Sequence, residues 1–207
     1  MSPPSAPRAF PRGLAVSDDQ GGRHDLRALV AGEPTLLLPI FARCTGTCPM
    51  TAVLLKEALG KAQAPFRVAL LSFDGDDAAR DLEDFRERFA LPARWLVVRS
   101  ADAIATRDFL GGLGFHFMKS EGGFDHPNET FVFSPRGSWA ATFAGAAFSK
   151  GELEVAWRRA MAADDESAVQ RLRAWLIRPE AWIALACAGL ALSATAIVLL
   201  ARKARTG

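Results

Sequence analysis

The chain has no tyrosine, and its 207 residues include only three cysteines and three histidines. Three cysteines are too few for the disulfide framework of a small secreted scaffold, so the domain must stand on its hydrophobic core. Charge of one sign is also missing. The formal net charge is +2, and Lys and Arg are scattered along the chain. A nucleic-acid binder concentrates basic residues into a patch or stripe, so nucleic acid is excluded as a partner. The opening stretch MSPPSAPRAFPRGL is rich in proline and holds no apolar core of a secretory signal. No internal repeat is present.

What the chain has is apolar residue, half of its length. That suffices for one well-cored domain and a short accessory segment, but a second full domain would be cramped. Residues 181–201 contain no charge and have the length that crosses the hydrocarbon layer as a helix, so they are expected to span a membrane. Trp175 and Trp182 suit an interfacial belt on one side; Arg202, Lys203 and Arg205 close the other. Arg171, Arg173 and Arg178 balance that cluster, so flanking charge leaves orientation open. Cys187 lies inside the apolar run, where a free thiol packs as a small hydrophobe.

Ahead of that span, residues 1–13 read as a flexible leader and 14–161 as the folded domain. A charged helical stalk covers 162–180, and a basic tail 202–207. Within the domain, Leu14–Asp25 suggests a hairpin turning at Gly21-Gly22. Thr35–Phe41 (TLLLPIF) is a nearly continuous apolar run, as a strand buried on both faces requires, although Pro39 warns of irregularity. Met50–Lys61 reads as a helix, Phe66–Phe73 as a second buried strand, and Asp77–Phe89 as an amphipathic helix with Leu82, Phe85 and Phe89 on one face. Trp95–Val98 and Asp102–Leu110 continue the alternation. The Gly-rich passage 111–127 reads as a loop with a short extended piece. Thr130–Phe133 and Trp139–Phe143 form a hairpin around Ser134-Pro135-Arg136-Gly137, and Lys150–Met161 is the last helix of the domain. Alternating strands and helices closed by a hairpin and a helix predict an α/β sandwich of thioredoxin-like type with a mixed sheet.

Chemistry collects where the first buried strand gives way to a helix, at PIFARCTGTCPMTA. Cys44 and Cys48 are one helical turn apart, near the separation a disulfide requires. A helix start favours thiolate and is expected to lower the thiol pKa, and thiolate is both nucleophile and metal ligand. Pro49 suits the first turn of that helix. The residues leave two chemistries open, a redox pair or a metal site. Two thiolates favour Cu(I), and an imidazole would complete a three-coordinate site able to hold Cu(II) as well. His24, His116 and His126 are the histidines on offer.

The order of strand, Cys-x-x-x-Cys-Pro, helix, strand ending Ser72-Phe73-Asp74, acidic helix, and Asp125-His126 ahead of a strand ending Ser-Pro-Arg-Gly resembles the SCO/SenC family of copper chaperones. The resemblance runs from Leu14 to Met161. It implies that Cys44, Cys48 and His126 are copper ligands, with Asp74 and Asp125 as carboxylates behind them. It further implies delivery of copper to, or reduction of, the copper centre of a haem-copper (cytochrome c) oxidase, with the domain on the periplasmic side of the cell membrane. Three features depart from the family: Gly75 stands where a proline commonly follows the Asp, Cys44 is not followed by proline, and the anchor is C-terminal. A membrane-tethered thiol-disulfide oxidoreductase without metal is the alternative, with another thiol protein as partner. A docking module with idle cysteines is the third reading, and no Arg is marked as the partner of a peroxidatic Cys44.

Overall fold

The computed structural model describes residues 10, 11 and 13–176, with side chains described as far as Asp164. The chain divides into two compact units after Asp164. The expected membrane span 181–201, the tail 202–207 and Cys187 lie outside the described residues. No helix among the described residues is long and apolar enough to cross a membrane.

The first pair of strands, β1 (Ala15–Asp18) and β2 (Arg23–Asp25), forms the expected hairpin. Gly21 takes φ +83° there, and the Asp18 carboxylate accepts the amides of Gln20 and Gly22. A five-residue helix, α1 (Leu26–Val30), follows directly, capped by Asp25. It is too short to show a period in the sequence.

The central strand β3 (Thr35–Ile40) is buried at all six positions and runs through Pro39. It pairs in parallel with β4 (Arg67–Ser72) along its whole length, but antiparallel with β8 (Glu129–Phe133) only at Thr35–Leu37. Pro39 therefore sits where β3 has already parted from β8, so its missing N–H breaks no rung on that side. Beyond β4 lies β5 (Leu96–Arg99), again parallel. The seven strands stand in the order β2-β1-β5-β4-β3-β8-β9, where β9 (Trp139–Ala144) closes the expected hairpin with β8. Parallel strands at the centre and antiparallel pairs at both edges make the mixed sheet the sequence predicts.

Helix α2 (Thr47–Lys61) starts three residues before the predicted Met50, because its first turn holds Thr47, Cys48 and Pro49 and no apolar spacing announces it. Helices α3 (Ala79–Arg88) and α4 (Ala103–Gly112) fall within a few residues of their predicted positions. The Gly-rich passage contains more order than expected, a two-stranded hairpin of β6 (Met118–Ser120) and β7 (Gly123–Asp125) separate from the main sheet. Helix α5 (Lys150–Leu176) joins the predicted last helix to the first part of the stalk without a break; no Gly or Pro falls between Glu152 and Leu176 to end it.

The core lies on both faces of β3, β4 and β8, with Leu36, Leu37, Val68, Leu70, Phe131 and Phe133 fully buried. It also claims Phe10, which the sequence assigns to a flexible leader. That ring is 3% exposed and meets the rings of Phe109 and Phe133 at centroid distances of 5.2 and 4.7 Å.

Candidate functional site

The parallel strands β3 and β4 end side by side, at Ile40 and Ser72, and the chain leaves β3 toward α2 through Phe41–Gly46. A turn closed by the Cys44 amide on the Phe41 carbonyl (3.1 Å) brings Cys44 back toward the sheet. Gly46 precedes the helix, and Cys48 is its second residue. Cys44 and Cys48 are therefore adjacent as the one-turn spacing predicts, both buried and both free thiols.

One donor reaches Cys44: its sulfur accepts the Gly46 N–H at 3.4 Å. Cys48 differs from the sequence expectation. Burial pushes its thiol up to about 12, the neighbouring Cys44 reinforces the rise, and the backbone at Phe41 and at Cys48 itself offsets only part of it. The helix start does not win there, because withdrawing a thiolate from water costs more than the field of one helix terminus returns.

His126 follows β7 and faces the same opening as Cys44. A cleft of about 330 Å³ runs between Cys44, Thr45, Gly46 and Thr47 on one wall and the β6–β7 hairpin with His126 on the other. Gly123 holds the hairpin close to that wall, since a Cβ there would lie 3.3 Å from the Phe41 ring. The imidazole is half-buried among Phe41, Phe73 and Phe115, at centroid distances of 6.0, 5.2 and 5.8 Å. Its Nδ1 lies 2.8 Å from the Pro127 carbonyl. A carbonyl can only accept, so Nδ1 carries the proton and Nε2 keeps its lone pair. Among the described residues no three His, Cys, Asp or Glu side chains are grouped so that they could hold a metal ion. His24 bonds to Asp18 in the first hairpin, and His116 is exposed beside α4; neither lines the cleft.

The two carboxylates named from sequence have different surroundings. Asp125 is exposed at the end of β7. Asp74 is buried and accepts Arg43 Nη2 at 2.7 Å, so it engages the residue next to Cys44. Sequence reasoning missed Arg43 and Asp77, which complete this arrangement. Asp77 is 1% exposed; its Oδ2 accepts the Ala42 N–H at 2.7 Å and the Ser72 hydroxyl at 2.5 Å, and its Oδ1 lies 3.3 Å from Arg43 Nε. Burial raises the Asp77 carboxyl above the usual carboxylate range, against the pull of Ser72, Ala42 and Arg43. Together these groups tie the Phe41–Cys44 turn to the end of β4. The signal available in the sequence was an Asp five residues after Ser72 and an Arg abutting the first cysteine, neither of which has a period or motif.

No protein-family model matches the chain, and no curated protein matches it in sequence. Solved structures do. The fold is similar to that of a candidate electron transfer protein from Aquifex aeolicus, at 26% identity and TM-score 0.70, covering 74% of this chain and 93% of that one. It is similar to ScoI of Arabidopsis thaliana, solved with copper bound, at 18% identity and TM-score 0.61, covering 71% and 94%. It is also similar to BsSco, a member of the Sco family of cytochrome c oxidase assembly proteins in which a disulfide switch was identified, at 19% identity and TM-score 0.62, covering 77% and 98%. The chain thus has a thioredoxin-like fold in the form that Sco/SenC proteins have it.

Proposed function

We propose that the chain is a copper-binding protein that holds copper as cargo through Cys44, Cys48 and His126 and passes it to partner thiolates. The partner in this reading is the copper centre of a haem-copper oxidase, with segment 181–201 anchoring the protein in the membrane and the domain on its periplasmic side. The observation that carries the reading is that Cys44 and His126 line one cleft, with Cys48 buried one helical turn from Cys44. Two sulfurs and one imidazole with a free Nε2 are the donor set that suits Cu(I) and tolerates Cu(II). Uptake of copper releases the Cys48 proton, because the ligand is the thiolate. The copper named for the Arabidopsis neighbour, and the oxidase assembly named for BsSco, support the same reading. Asp74 and Asp125 are placed behind the ligands in this proposal, Asp74 acting through Arg43.

The full chain is expected to bind about one copper, and His126→Ala to abolish Cu(II) binding while leaving the Cys44–Cys48 disulfide reducible. Equilibrium dialysis with copper, and quantification of thiols after reduction, read both. Unchanged Cu(II) affinity in the variant removes His126 from the site.

Two free cysteines one helical turn apart favour a second reading, a dithiol reductant that needs no metal. The Cys44 sulfur attacks a partner disulfide and forms a mixed disulfide, releasing one partner thiolate. Cys48, having given up its proton, then attacks Cys44; an internal disulfide forms, the second partner thiolate leaves, and two electrons have passed to the partner. Reduction of a disulfide substrate in the presence of a copper chelator separates the readings. A pure oxidoreductase keeps its rate, and the chain takes up no copper.

A further inference from the structure

The imidazole and the cysteine pair come from distant parts of the chain, so something must set the distance between them. Two residues after His126 stands Asn128, and three residues after Cys48 stands Thr51, on the same side of α2 as Cys48. The Asn128 Nδ2 donates to the Thr51 hydroxyl at 3.1 Å, and that hydroxyl donates to the Thr47 carbonyl at 2.8 Å. Thr51 is fully buried. Asn128 is held on its other side as well, since its carbonyl accepts the Gly145 N–H at 2.7 Å. Between Asn128 and the imidazole there is only Pro127, whose ring restricts the backbone and whose carbonyl accepts the His126 Nδ1 proton.

We infer that the Thr51–Asn128 hydrogen bond is a strut that positions the His126 ring relative to the cysteine pair, making Asn128 and Thr51 positioning residues for copper. This rests on the copper reading above. The argument is mechanical. The strut joins the first two turns of the cysteine helix to the segment that carries the imidazole, and its Thr51 end is fully buried, where a hydroxyl that loses its partner has no water to replace it. Neither residue touches a sulfur or the ring in any hydrogen bond of the structure, so their effect on the metal is through distance and ring orientation alone. Cu(II) depends on the imidazole, whereas the dithiol couple depends only on the sulfurs, so loosening the strut should separate the two properties.

The test uses the full chain and four proteins: the parent, Asn128→Ala, Thr51→Val and Thr51→Ser. Cu(II) affinity is measured by competition with a chelator, imidazole nitrogen coupling to Cu(II) by electron paramagnetic resonance, and the Cys44–Cys48 couple by redox titration. Asn128→Ala and Thr51→Val are expected to weaken Cu(II) binding by about tenfold or more, the range seen when groups supporting a metal ligand are lost, with reduced nitrogen coupling and an unchanged dithiol potential. Thr51→Ser keeps the hydroxyl and is expected to match the parent. Thr51→Val preserves side-chain shape, so it carries the test if Asn128→Ala does not fold. Variants that bind Cu(II) as the parent does, or in which copper affinity and dithiol potential shift together, overturn the inference while leaving the copper reading standing. A parent that takes up no copper overturns both.

Discussion

At the scale of single residues, the two cysteines are chemically unequal although the motif presents them as a pair. Cys44 lines the cleft and accepts the Gly46 N–H, while Cys48, which does not line it, has its thiol pushed up to about 12 by burial. In the dithiol reading proposed above, Cys48 therefore holds its proton at neutral pH, and Cys44, which lines the cleft, is the sulfur proposed to attack. Brief treatment of the reduced chain with iodoacetamide at about pH 8 is expected to label Cys44 ahead of Cys48, whose thiol burial raises, and the gap is expected to narrow as pH rises; peptide mass analysis reads the order. Faster labelling of Cys48 would assign the roles the other way round. The pair's position was legible in the sequence because a buried strand running into a helix is visible as pattern. Their inequality was not, because it comes from what the rest of the fold places over Cys48.

At the scale of elements, the turn between β3 and α2 is held by side chains from the far side of β4. Asp77 satisfies the buried Ala42 amide and the Ser72 hydroxyl, and Asp77→Ala leaves the Ala42 amide without a partner and the Ser72 hydroxyl with only the Asp74 amide that it accepts. An unsatisfied buried donor costs about 1–3 kcal/mol, so the variant is expected to lose about 2 kcal/mol in urea unfolding. Arg43 is a useful contrast, since its side chain is 53% exposed where it meets Asp74 and Asp77. Solvent screens such a pair, and Arg43→Ala is expected to cost less than about 1 kcal/mol in the same measurement. Equal losses would mean that the ion pair, and not the buried amide, holds the turn. The β6–β7 hairpin makes the same point about legibility. Its residues carry two adjacent glycines, Gly122 and Gly123, and read as a loop, yet the chain folds there into a short ladder that forms one wall of the cleft.

At the scale of the whole domain, the fold places Phe10 against the core. Phe10 packs edge-on to Phe109 and Phe133, so α4, β8 and Phe10 share one apolar cluster. Phe10→Ala is expected to cost about 3 kcal/mol, the usual range for removing a buried aromatic ring, and to lower the melting midpoint without changing copper uptake. A melting midpoint equal to that of the parent would return the segment to the flexible leader that the proline-rich composition suggested.

Several properties were determined by the sequence alone. The apolar runs set β3 and β4, the turn chemistry set the β8–β9 hairpin, and spacing set Cys44 beside Cys48, because each depends on residues close together along the chain. The tertiary structure alone decided the strand order, the burial that overrides the helix start at Cys48, the Asp77 tie to the cysteine turn, and the approach of His126 and Asn128 to α2. These depend on which distant segments share the same space. A local pattern carries no record of that; it is settled only when the sheet closes and each buried polar group must find its partner.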